Sequence, residues 1–278
     1  MRKFYYLIIA AWIAVSGCEQ EADIPLPKVE QKITVSCYIS DDTDTVRAYL
    51  RWSDPVFSNG VNEGKMIQDA HVVLSGSGFS RDFSFNANAQ YYELPVQGFE
   101  LIPGEPYSIT IQTPDGTQAS AETTIPYFQS DIRSASFERI TEVNENNQYL
   151  DLQYVTYRFE TVLGNLDSEE PYYRIIHYQK WDDPFVAATW YQSSNVWHAF
   201  DSGDDEESII SESSFYGDDS TNVFHKAIVI HCSEDYYRFH KTMENISYGP
   251  FAEPTIVYSN VKNGLGIFAG YRQLEILY

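Results

Sequence analysis

Cys18 is the residue whose neighbours define a chemistry most sharply. Arg2 and Lys3 precede an apolar run from Phe4 to Val15, and Val15-Ser16-Gly17-Cys18 closes it. Two positive charges, about a dozen apolar residues and small residues before the cut form an export signal, which is too short for a membrane span. A branched apolar residue, two small ones and then Cys is the pattern at which bacteria attach lipid. Residues 1–17 are then expected to be removed, and the Cys18 thiol carries a diacylglycerol as the first residue of the mature chain.

Other chemistry-bearing groups are less sharply defined. Asp201-Ser202-Gly203-Asp204-Asp205-Glu206-Glu207 concentrates carboxylates, the oxygen ligands that calcium takes, so Asp201, Asp204 and Asp205 are candidate cation ligands. Their spacing lacks the regularity of an EF-hand loop, and an exposed, solvated loop from Asp201 to Glu207 is the preferred reading. Trp181, Trp190, Tyr191 and Trp197 fall close together. Exposed rings anchor interfaces and stack on ligands, whereas on a sandwich they also build core. The expectation is that at least one of Trp190, Tyr191 and Trp197 is exposed and contacts a partner or its ligand.

Elsewhere, motifs of catalysis are wanting. The histidines, His71, His177, His198, His225, His231 and His240, form no HExxH and no pair at metal spacing, and read as surface or packing residues. There is no Gly-x-Ser-x-Gly elbow, and Asp182-Asp183 alone do not make a glycosidase pair. Gly264-Leu265-Gly266-Ile267-Phe268-Ala269 matches a dinucleotide fingerprint formally, but a β-rich run follows where a helix is required. These glycines read as turn residues entering the last strand. No catalytic residue and no cofactor is expected.

The elements that must position these groups are strands. Tyr, Phe and Trp number 22, 16 and 5 against 3 Met, a composition that leans toward β structure. Ile33, Val35, Cys37 and Ile39 alternate with polar neighbours, as do Val46, Ala48, Leu50 and Trp52. Further short strands are predicted at 70–74, 79–85, 91–94, 107–113 and 118–125, with turns at Pro103-Gly104-Glu105-Pro106 and Pro114-Asp115-Gly116. Residues 33–126 thus read as an immunoglobulin- or transthyretin-like β-sandwich. A tether at 18–32, acidic and then Pro-rich, precedes it.

A second β-rich domain is expected over 131–278, with strands at 149–161, 172–181, 188–197, 223–232, 255–261 and 267–277. One helix near 234–246 has Ser233 as cap, acids in its first turn and an apolar stripe of Tyr236, Phe239, Met243 and Ile246. The fold class is all-β with one short helix. Cys37 and Cys232 lie in apolar runs and read as buried thiols rather than a disulfide.

With 40 acidic residues against 18 basic ones, the net charge is −22. A field of that sign argues against nucleic acid and against electrostatic docking on anionic lipid. It suits a soluble body held beside a membrane by acyl chains. Acidic residues directly after Cys18, Glu19 to Asp23, resemble the signal that sends Bacteroidota lipoproteins on to the cell surface.

Three blocks together resemble a family of Bacteroidota outer-membrane lipoproteins, the domain of unknown function 4249 family. They are the anchor with the strands Ile33–Ile39 and Val46–Trp52, then Gln68-Asp69-Ala70-His71-Val72-Val73-Leu74 with Leu101-Ile102-Pro103-Gly104 and Thr124-Ile125-Pro126. The third and most specific is the tail: Tyr236-Tyr237, Pro254, Tyr258-Ser259-Asn260-Val261 and Asn263-Gly264-Leu265-Gly266-Ile267-Phe268. One departure is Ser36-Cys37, where many relatives carry a small residue such as glycine. The resemblance implies an all-β lipoprotein encoded beside a TonB-dependent transporter, with no activity attached. The functional expectation is a surface-exposed, non-enzymatic accessory or ligand-binding partner of such a transporter. A cell-surface adhesion or assembly subunit is the alternative, and a hydrolase a more distant one.

Overall fold

The alternation at Ile33–Ile39 becomes strand β1, whose odd residues are buried while the even ones are half-buried, and Thr45–Trp52 becomes its antiparallel partner β2. The computed structural model describes residues 30–53, 64–127, 131–142, 153–166, 171–181, 189–199, 206–217, 223–246 and 255–278. Residues Gln31–Asp54 and Asn62–Tyr278 form one compact unit that carries every element named below; of the other, Met1–Glu30 with Pro55–Val61, only Glu30 is among the described residues.

In chain order β3 (His71–Gly76), β4 (Phe79–Asp82), β5 (Ser84–Asn86), β6 (Tyr91–Pro95), β7 (Pro106–Gln112) and β8 (Gln118–Thr124) follow. Then come β9 (Asp131–Glu142), β10 (Gln153–Gly164), β11 (Tyr172–Trp181), β12 (Tyr191–Ala199), β13 (Glu206–Gly217), β14 (Val223–Cys232), helix α1 (Glu234–Glu244) and β15 (Gly264–Leu277). The protein is all-β with one helix among the described residues. Its sheets are an eight-stranded one, β12-β11-β14-β15-β1-β2-β6-β5, a four-stranded one, β4-β3-β7-β8, and a three-stranded one, β13-β10-β9.

The last strand joins the two ends of the large sheet. β15 pairs parallel with β1, from Ile33 opposite Gly264 to Ile39 opposite Gly270, and antiparallel with β14. β8 ends at Thr124 and β9 starts at Asp131, and the eight-stranded sheet draws strands from both sides of that passage. Phe268 packs into the core that β1 and β2 share with β3, β7 and β8. Ile276, on the same face of β15, packs with Leu163, Tyr173, Ile175, Ile209, Ala227 and Val229 between the large sheet and the three-stranded one. Ile267 and Ala269 turn to the opposite face, where Tyr236 of α1 covers them.

Glycine is required in β15 for a packing reason. A Cβ on Gly266 (φ 103°) would lie 2.0 Å from the Val35 carbonyl oxygen, and one on Gly270 would lie 2.0 Å from that of Thr124. These glycines, and Gly264 at the head of the strand, are therefore inside β15 rather than in a turn before it.

Several expectations are corrected. Glu206 and Glu207 belong to the twelve-residue strand β13 rather than to a loop. Its inward side chains include Ser211 and Ser213, so apolar alternation is hidden. Residues 255–261 are not a strand. There the side chain of Asn260 replaces ladder bonds: its Oδ1 accepts from Phe268 N at 3.1 Å, and its Nδ2 donates to Phe268 O at 2.7 Å. On α1 the covered stripe holds Tyr236, Tyr237, Phe239 and His240, whereas Met243 is exposed. Ser233 caps the helix as its sequence position predicts, accepting from Tyr236 N at 3.4 Å.

Candidate functional site

Arg174 organises the side chains under the helix. β11 places it on the α1 side of the large sheet, where its Nε donates to Asn195 Oδ1 at 2.7 Å and its Nη1 to Tyr236 OH at 3.1 Å. The guanidinium lies 4.6 Å from the ring of Trp197, a cation–π contact that offsets part of the cost of its partial burial. Trp197 Nε1 and Asn195 Nδ2 both donate to Glu244 Oε1, which ties edge strand β12 to the C-terminal end of α1. Tyr38 of β1 meets His240 Nε2 at 3.2 Å and the ring of Tyr236 edge-on at 5.4 Å. Burial, and secondarily the Arg174 charge, lowers the His240 pKa to about 4, so the imidazole is neutral at pH 7.

Of the sequence candidates, Trp197 therefore belongs to this cluster, half-buried against Tyr237 and His240. Trp190 is also half-buried, 5.1 Å from Lys226 Nζ. Tyr191 is the exposed member at 44 %, beside the ring of Trp181 at 5.3 Å. The structure thus does not gather the aromatic cluster into one surface. Cys18, Asp182, Asp183, Asp201, Asp204 and Asp205 lie outside the described residues. Cys37 and Cys232 are buried free thiols whose pKa burial raises.

The opposite face of β11 and β14 holds a group that the sequence reading treated as packing residues. His177 (1 % exposed) points toward the three-stranded sheet, where its Nδ1 meets Ser211 Oγ at 2.9 Å and Ser194 Oγ at 3.0 Å. Its Nε2 faces Tyr278 OH at 3.5 Å, and its ring stacks on Phe159 at 4.3 Å. Next to it, Gln179 Nε2 donates to Ser213 Oγ at 2.5 Å. His225 (2 % exposed) lies among Tyr157, Phe137 and Phe159 at 4.2, 5.1 and 5.2 Å. Among the described residues neither of its ring nitrogens meets a hydrogen-bond partner.

Burial holds both imidazoles neutral at pH 7. It lowers the pKa of His225 to about 4, and that of His177 to about 4 with His225 as the lesser cause. A serine hydroxyl against an imidazole nitrogen is the start of a nucleophile–base pair. Here the other nitrogen faces a phenol rather than a carboxylate, and the ring is sealed under Phe159, so the contact serves to satisfy a buried imidazole. The signal in the sequence was Ser at alternate positions of β13 opposite His and Gln on β11, visible only once the pairing of the sheets is known.

Two surface grooves are lined by carboxylates. Glu105 and Glu122 border one, and Glu122, Glu234 and Asp235 the other, at the start of α1. Asp235 there accepts from Tyr258 OH and from Asn260 Nδ2. Among the described residues no group of three or more His, Cys, Asp and Glu side chains is placed to hold a metal ion.

Stacked sheets, one capped helix among the described residues and neutral, buried polar clusters define an all-β protein of sandwich architecture. The chain belongs to the domain of unknown function 4249 family (DUF4249), which it matches over residues 19–276. None of the curated proteins matches it.

Proposed function

We propose that this chain is a lipid-anchored outer-membrane protein facing the cell exterior, acting as a non-enzymatic accessory of a TonB-dependent transporter that binds or gates a ligand outside the barrel. The observation that carries the reading is Val15-Ser16-Gly17-Cys18 at the end of an export signal. The family match begins at residue 19, one position past the cysteine at which the mature chain would start. A net charge of −22 suits a body that is held at a membrane by lipid and not by electrostatic adhesion. The sealed Ser211–His177 contact supports a role without catalysis, because no substrate reaches that imidazole at 1 % exposure.

The test compares the native chain with Cys18→Ala in cells. The native chain should label with palmitate, sediment with outer membrane, be shaved from intact cells by added protease and copurify with the transporter encoded beside it. Cys18→Ala should leave the membrane fraction and lose the label. A variant that still labels and sediments would remove the anchor, and full protease protection of the native chain would place the body on the periplasmic side. Absence of the transporter from crosslinked complexes would refute the partnership.

A further inference from the structure

The outer face of the four-stranded sheet carries a groove of another character. The register sets His71 opposite Gln112 and Val73 opposite Thr110 between β3 and β7, and Gln112 opposite Gln118 and Thr110 opposite Ser120 between β7 and β8. Directly opposed residues on one face stand about 5 Å apart. The six positions therefore form two parallel rows across three strands: His71, Gln112, Gln118 and Val73, Thr110, Ser120. Asn263, in the left-handed region at φ 56°, adds a third amide at the rim beside the isolated bridge of Lys262 to Ser120. The groove so formed encloses about 380 Å³, within the range of small-molecule sites.

Two features separate it from the rest of the surface. Among the described residues no carboxylate, lysine or arginine lines it, although the chain carries 40 acids and the two grooves described above are both acid-lined. The nearest charges close on themselves: Asp82 pairs with His71 Nε2 at 3.0 Å, and Lys262 with Glu122 at 3.2 Å. Second, the side chains of Thr110, Gln112, Gln118, Ser120 and Asn263 make no hydrogen bond to any other described residue. Three amides and two hydroxyls, each group both donor and acceptor, thus converge on one concavity with their bonding capacity unspent.

We infer that this groove is a binding site for a neutral saccharide. Vicinal hydroxyls donate and accept in pairs and match the paired oxygen and nitrogen of an amide, and the methyls of Val73 and Thr110 offer the floor that the C–H face of a sugar ring needs. An anionic ligand finds no cation here and meets the field of the whole chain. A cationic one meets a single carboxylate at the border, Asp82 opposite Val73, and His71 already occupies it. An extended peptide would require an open edge, and these side chains stand on the face of the sheet, with Lys262 bridged to Ser120 at the β8 edge. The site needs neither the anchor nor the transporter, so the outcome for Cys18→Ala leaves it standing.

Calorimetry on the full chain in lauryldimethylamine oxide, a detergent without a sugar headgroup, tests it. The probes are cellohexaose, xylohexaose, mannohexaose and maltohexaose, with oligogalacturonate and hexalysine as charged controls. At least one neutral hexasaccharide should bind, and Gln112→Ala and Gln118→Ala should each weaken it about tenfold, equivalent to ~1.4 kcal/mol. Ser77→Ala, in an acid-lined groove, should leave that affinity unchanged, and melting temperatures should match throughout. Binding of none of the neutral hexasaccharides at millimolar concentration overturns the assignment. So does saccharide binding that Gln112→Ala and Gln118→Ala leave intact, or binding confined to the charged controls.

Discussion

His225→Leu should stabilise the protein, and more so in acid. The imidazole is 2 % exposed with both nitrogens unsatisfied among the described residues, and its pKa is lowered by burial to about 4. At pH 7 removing the unpaired polar atoms recovers about 1–3 kcal/mol. Lost ring contacts with Tyr157, Phe137 and Phe159 return about 0.5–1.5 kcal/mol of that, so the change at neutral pH is small.

The pH dependence isolates the histidine. Between the unfolded value near 6.5 and the folded value near 4, the unfolded chain holds a proton that the folded chain refuses, so the wild type loses stability as pH falls through that window. From pH 7 to pH 5 that loss is about 2 kcal/mol, and the leucine variant, with no proton to refuse, does not suffer it. Urea unfolding of both proteins at the two pH values reads the difference, and folded-state titration of the His225 ring by NMR reads its pKa. An equal stability difference at both pH values, or a ring that titrates near 6.5 in the folded protein, would refute the reasoning.

Two further pairs of variants test the packing. Trp197→Ala forfeits the Arg174 stack and the bond to Glu244 and should cost roughly 2–4 kcal/mol in thermal melts; Tyr191→Ala, at an exposed position, should cost under about 1 kcal/mol yet weaken copurification with the proposed transporter partner by on the order of 2 kcal/mol. Gly266→Ala should cost more than about 4 kcal/mol in urea unfolding because backbone stands where the methyl must go. Gly116→Ala, at φ 90° with nothing within 4 Å, should cost only about 1 kcal/mol.

What the sequence made legible follows from which faces are apolar. β1 and β2 read directly because one face packs in a hydrophobic core and the other does not. The helix read directly because Ser233, Glu234 and Asp235 mark its start, although its true stripe includes His240, a residue that periodicity by apolar type passes over. β13 was illegible because its interior positions are Ser211 and Ser213, matched to His177 and Gln179 across the sandwich. The amide groove was equally hidden. Gln112 and Gln118 look like ordinary surface residues until the register sets them side by side.

The parallel pairing of β1 with β15 has a consequence in time. Ile33 finds Gly264 only after nearly the whole chain has been made, and closing so long a loop delays folding. Until β15 arrives, β1 and β14 each present a bare edge, and Phe268 is missing from the core. For a chain exported as proposed above, that delay is useful, because a polypeptide threaded through a membrane must stay unfolded until its tail has crossed. The same dependence makes the tail a point of vulnerability: a chain that lost β15 would lose the strand that joins β14 to β1, and a protease would meet open edges instead of a closed sheet.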